Sequence, residues 1–311
     1  MRGVAGGASG RRWKELPAAL GLLAPSGVIL GLFVVYPLVK AVFQGKTRCS
    51  ADGARCVDNG WDQYPDALRS TEFQQALWTT FKFALITVPI GLALGIGLAV
   101  LAHKQMRGLG FFRSVFSSTV ATSVAVASLM WFFLLQPSVG VMSNLGFLGR
   151  LFPVVKQPGL LADSGTALWA VAMSSIWANL GFTFIIVTAG LQSIPDELYE
   201  AAAIDGAGGT RRFWSVTLPL LGPSVLFVLI VLTTRAFQAY GEVDLLTEGG
   251  PRPDNPTTTL TYLTYGQNSI IRTDPGLQAT TAVLLFGVLL VLSLLQLWSM
   301  GRRVHYAGGT A

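Results

Sequence analysis

Charge is scarce in this chain. Only 12% of its 311 residues are charged, about half the roughly 25% of an ordinary soluble domain. So few ionisable groups cannot cover a globule of this size, and a mean hydropathy of +0.54 does not suit a disordered chain. Composition alone therefore points to an integral membrane protein. Histidine and cysteine are scarcer still, limited to His103, His305, Cys49 and Cys56. Neither pair has the spacing of a metal site, so a zinc or redox enzyme is not expected. Runs of like charge and basic faces interleaved with aromatics are missing, so no nucleic-acid partner is expected. The chain has no G-x-x-x-x-G-K-[ST] motif, hence no phosphate cradle and no ATP hydrolysis of its own.

Long apolar runs are what the sequence does have. A spanning helix needs roughly 17–25 mostly apolar residues, and six stretches qualify: about 17–43, 77–102, 114–135, 167–190, 219–240 and 278–300. Backbone groups in lipid must be satisfied within the segment, and no alternating barrel pattern occurs. The expectation is an all-α, polytopic protein. The first run follows Arg11, Arg12 and Lys14 but exceeds the roughly 7–15 apolar residues of a signal peptide, so it reads as an uncleaved helix.

Basic residues near helix ends set the orientation. With the N-terminus inside, Arg2, Arg11, Arg12, Lys14, Lys104, Arg107, Arg113, Arg211, Arg212, Arg302 and Arg303 all face inward. The acidic residues lie mostly on the other side. The expected layout is N-in and C-in: an inner segment 1–16, a transmembrane domain 17–300 and an inner tail 301–311. Outer loops span about 44–76, 136–166 and 241–277, and the longest inner segment is about 191–218.

That inner segment is the most informative stretch. Between Gln192 and Pro219 it reads QSIPDELYEAAAIDGAGGTRRFWSVTLP. Pro195, Asp196 and Glu197 suit a helix start, alanines follow, and Gly206, Gly208 and Gly209 break the run. A second short helix is predicted from about Arg211. Glu200-Ala201-Ala202, Gly206, Val216 and Leu218-Pro219 together resemble the signature of permease subunits of ABC importers, with Val216 where isoleucine is commoner. Asp205-Gly206-Ala207 is similar to the carbohydrate-uptake branch. IPDELYEAAAIDGAGGTRRFWSVTLPLLGPS, LLTEGGPRPDNPTTTLTYLTYG and DPGLQATTAVLLF resemble its glycerol-3-phosphate permeases over roughly residues 170–310.

The resemblance implies a type I importer permease fold in the bacterial cytoplasmic (inner) membrane. It implies a second homologous permease subunit, two copies of an ABC ATPase that bind ATP and Mg, and an extracytoplasmic solute-binding protein. The helix carrying Glu200 would dock on the ATPase, Glu200 pairing with a basic residue there. The bland alternative is an exposed helical acid. Asp205 could instead cap the turn.

Within the spans, Arg235 stands 16 residues after Pro219, about 24 Å along a straight helix and thus toward the outer end. It reads either as an anion contact or as a snorkelling or Glu242- or Asp244-paired arginine. Asn179 bonds a neighbouring helix or touches substrate. Thr258, in the outer loop that partly re-enters the bundle in the family, is a candidate for the transport path or plain loop structure. Lys82 reads as a snorkelling residue. Cys49 and Cys56 form a disulfide or remain two thiols. The function expected is import of glycerol 3-phosphate or glycerophosphodiesters. A di- or oligosaccharide importer is the alternative, and an ion-coupled secondary transporter is the alternative of another class. The last would need acids or histidines deep in the spans, and the predicted spans lack them.

Overall fold

The computed structural model describes residues 21–50, 55–103, 109–136 and 159–301. The segment 1–16, the tail beyond Gly301 and most of the loop 136–166 lie outside the described residues. Among the described residues, four helices are long and apolar enough to cross a membrane: α1 (Gly21–Gln44), α3 (Thr71–His103), α6 (Ala167–Gln192) and α12 (Pro275–Gly301). The third and fifth expected spans are broken. The third comprises α4 (Leu109–Ser118), a 3-10 turn at Thr119–Ala121 and α5 (Val124–Leu135), bent by 109°. The fifth comprises α8 (Gly209–Leu220) and α9 (Gly222–Phe237), bent by 70°. The total is therefore four spans, or six if each bent pair crosses once.

Local chemistry explains both breaks. Thr122 and Ser123 are extended, and the Ser123 hydroxyl accepts the Val126 N–H at 3.3 Å, starting a new helix in a new direction. Pro219 and Pro223 lack N–H groups on either side of Gly222, which removes ladder bonds where α8 turns into α9.

The core forms where α3 and α6 pack along each other with α9 across them. Phe83, Val171, Val228, Phe237, Leu260 and Tyr262 fill one cluster; Phe184, Val187, Leu191 and Leu221 fill the other. Lipid tails are as apolar as leucine, so close backbone approach has to supply the packing. Gly95 of α3 lies against Thr183 of α6, and Gly190 of α6 lies against Ser224 and Leu221.

At one end of the bundle a hairpin, β1 (Thr47–Cys49) and β2 (Cys56–Asp58), precedes the short α2 (Gln63–Arg69). Cys49 and Cys56 are bonded in the structure. Cys49 N–H donates to Asp274 Oδ1 at 3.2 Å, Gln63 Nε2 to the Thr47 carbonyl at 2.8 Å, and Thr280 Oγ1 to the Gly45 carbonyl at 2.8 Å. These bonds fasten the hairpin to the start of α12 and hold the end of α1. Serine at both cysteines should lower stability by about 2–3 kcal/mol for so short a loop. Thermal unfolding with and without reductant checks this; identical curves for wild type and variant would dismiss the bond.

Candidate functional site

The opposite end carries α7 (Asp196–Ile204). Pro195 is extended at its N-cap, and Asp196 and Glu197 occupy the first turn, where their charge favours the positive end of the helix dipole. Gly206 takes a φ of +73°, and Ala207 N–H reaches back to the Ala202 carbonyl at 2.9 Å. This is the left-handed helix stop that glycine adopts at least cost. Thr217 of α8 and Tyr199 of α7 are 3.4 Å apart through their hydroxyls, which closes the elbow. The outer face of the elbow is open among the described residues. Glu200 and Ala201 are exposed and Ala202 half-buried, while Ile204 is 87% and Trp214 64% exposed. An unpaired acid beside exposed apolar side chains on a short, braced helix is suited to docking on another protein. Asp205 makes no side-chain hydrogen bond among the described residues; the glycine supplies the stop without it.

A chain of polar groups crosses the middle of the bundle. Arg235 Nη1 donates to Asn179 Oδ1 at 2.7 Å, and its guanidinium lies 4.6 Å from the centre of the Phe182 ring. Asn179 Nδ2 donates to the Ser175 carbonyl at 2.8 Å and approaches Ser175 Oγ at 3.5 Å. Ser175 Oγ donates to Glu242 Oε1 at 3.2 Å, on α10 (Gly241–Thr247). Among the described residues neither Arg235 nor Glu242 has an ion-pair partner. Of the alternatives for Arg235, direct pairing with Glu242 is not formed: Asn179 and Ser175 stand between them. The depth expected for Arg235 also changes. Because α8 and α9 meet at 70°, the distance from Pro219 does not run along one axis. The guanidinium instead meets Asn179, midway along α6.

At the hairpin end, a cavity of about 650 Å³ opens between α3, the start of α6 and the loop after α10. Trp78, Lys82, Trp169, Arg252, Thr258 and Tyr262 are among its walls. Lys82 is exposed, its Nζ 5.4 Å from the Trp78 ring centre. The loop beside the cavity is held by threonines. Thr259 and Thr261 donate to the Ala239 and Phe237 carbonyls at 3.0 and 2.7 Å, satisfying the C-terminal end of α9. Thr80 Oγ1 accepts the Leu260 N–H at 2.9 Å. Thr258 donates to the Gly249 carbonyl at 2.9 Å, so its hydroxyl ties the loop while its side chain lines the cavity.

The profile of the family described as "Binding-protein-dependent transport system inner membrane component" matches residues 91–303. The chain belongs to this family of ABC importer permeases. The permease is 32% identical over 286 residues to the sn-glycerol-3-phosphate transport system permease protein UgpA of Agrobacterium fabrum, covering 92% of this chain and 95% of that one. It is 31% identical to UgpA of Escherichia coli strain UTI89, covering 92% and 94%. Its fold matches a bacterial ABC transporter that imports the acidic polysaccharide alginate, with a TM-score of 0.73, 21% identity and 94% and 99% coverage. The same kind of transporter with an alginate-pentasaccharide-bound periplasmic protein gives a TM-score of 0.76, 20% identity and 96% and 100% coverage.

Family membership makes this permease a multi-pass protein of the cytoplasmic membrane and a transport subunit of an importer. The ion-coupled secondary transporter is thereby set aside. The structure brings Glu200, Ala201, Ala202, Asp205 and Gly206 onto one projecting elbow. Leu218 and Pro219 lie at its far end, where α8 meets the bend. Asn179 and Arg235 meet directly, while Thr258 belongs to the cavity wall. Sequence reasoning missed Ser175 and did not place Glu242 at depth. Glu242 follows the fifth apolar run and reads as loop, yet α10 folds back so that the residue is only 9% exposed. An acid within ten residues of an intramembrane arginine was the available signal.

Proposed function

We propose that this chain forms half of the translocation path of an ATP-driven importer for glycerol 3-phosphate or related glycerophosphodiesters. The support for the substrate is that relatives at least 30% identical along 92% of the chain are named as glycerol-3-phosphate permeases. The N- and C-termini face the cytoplasm, and the α7 elbow is the cytoplasmic handle. A second permease subunit completes the path, two ATPase subunits hold ATP and Mg, and an extracytoplasmic solute-binding protein delivers the substrate to the hairpin end. Motion of the ATPases reaches the bundle because α7 is braced on α8, which leads into α9.

Arg235 supplies the anion contact. Guanidinium carries five N–H donors in a planar fork that fits a phosphate in bidentate fashion. One of the five is used among the described residues, and the side chain is exposed on this chain. The complete importer, reconstituted in proteoliposomes with its binding protein and ATP inside, should accumulate labelled glycerol 3-phosphate. Accumulation of a disaccharide instead would replace the substrate assignment.

A further inference from the structure

The polar chain at mid-bundle has a direction, and the direction carries an inference. Each link donates toward the next: Arg235 to Asn179, the Asn179 amide to the Ser175 carbonyl at 2.8 Å and to its hydroxyl at 3.5 Å, and that hydroxyl to Glu242. Arginine has donors only, so it fixes which end of the Asn179 amide faces it; the amide NH2 is then aimed at Ser175. The Ser175 hydroxyl, 4% exposed as a residue, is oriented in turn by a carboxylate that is nearly as buried. Hydrogen bonds in series within a low-dielectric interior polarise one another. The chain joins α6, α9 and α10.

A direct Arg–Glu pair would have occupied the guanidinium fork. Placing two neutral side chains between the charges holds the guanidinium in one place and leaves most of its donors uncommitted. Phe182 supports it from one face, so the free N–H groups lie along its edge. We propose that Glu242 and Ser175 are positioning residues that hold Arg235, through Asn179, as the anion-recognising group of the transport path. The positioning stands on the geometry of this chain; its purpose rests on the transport function proposed above.

The test uses the assembled importer. Phenylglyoxal modifies arginine side chains, and peptide mass spectrometry reads the rate at Arg235, with exposed Arg272 as internal reference. S175A and E242A should raise the Arg235 rate about fivefold, a typical coupling within one hydrogen-bond network. E242Q, whose amide oxygen still accepts from Ser175, and S175T should restore it. An unchanged rate in both S175A and E242A overturns the positioning role, and so does a rate that rises equally at Arg272, which marks general loosening.

Transport is read separately as glycerol 3-phosphate moved per ATP hydrolysed. R235A should lower it about tenfold, the scale of a lost charged hydrogen bond. S175A should lower it less, and S175A/R235A should be no worse than R235A alone. Additive losses overturn the coupling of Ser175 to Arg235. If R235A moves substrate like wild type while labelling responds as expected, positioning stands and the anion contact falls.

Discussion

Glu200→Lys should release the ATPase subunits from the membrane complex and abolish uptake, while the permease itself inserts and folds normally. Glu200 is exposed and makes no side-chain hydrogen bond or ion pair among the described residues, so its reversal should cost the fold little. On this chain it stands in the middle of a nine-residue helix whose neighbours Ile204 and Trp214 are largely exposed. Truncating one partner of a desolvated, hydrogen-bonded charge pair costs about 2–5 kcal/mol. Reversal adds repulsion, so co-purification of the ATPase with a tagged permease should fall by roughly a hundredfold or more. Glu200→Ala should lose less, and Ile204→Asp should mimic the lysine variant from the apolar side of the same face. Unaltered co-purification and uptake in the lysine variant would make Glu200 an ordinary exposed acid.

Gly181→Val should separate the broken third element from α6. A side chain at Gly181 would lie 2.6 Å from the Phe116 carbonyl oxygen and closer still to Thr119 Oγ1. One of these obstacles is backbone, so no rotamer change relieves the clash. Forcing extra carbon into such a contact costs about 3 kcal/mol, and the 109° turn after Ala121 leaves α5 no straight path by which to yield. The solubilised complex should melt several degrees lower and transport should be lost. Gly97→Val is the control, since nothing lies within 4 Å of a side chain there. Equal behaviour of the two variants would show that the approach of Phe116 to Gly181 is not tight.

The elbow was legible because it is local. Pro195, the acids after it, the alanine run and Gly206 act on their own neighbours, so the order of residues is enough to predict a helix, a stop and a second helix. The apolar runs were legible for a similar reason: hydrocarbon demands a length and excludes charge, whatever the neighbours do. Bends were less visible. Ser123 reads as one polar residue in an apolar run, and only the direction taken by α5 makes it a cap. Pro219 reads as the opening of one continuous span over about 219–240, and nothing in its spacing from Pro223 specifies a 70° bend.

Sequence by itself determined that this protein is helical, embedded in a bilayer, and supplied with a glycine-stopped helix bearing Glu200. These follow from composition and short-range chemistry. Tertiary structure decided what the polar residues inside the bundle do. Arg235, Asn179, Ser175 and Glu242 lie on three elements up to 67 residues apart. The packing of α9 and α10 against α6 brings them together. Thr259 and Thr261 likewise have carbonyls to bond only because the loop folds back onto α9. A hydrogen bond needs its partner within about 3 Å, and across elements that distance is set by packing rather than by order along the chain.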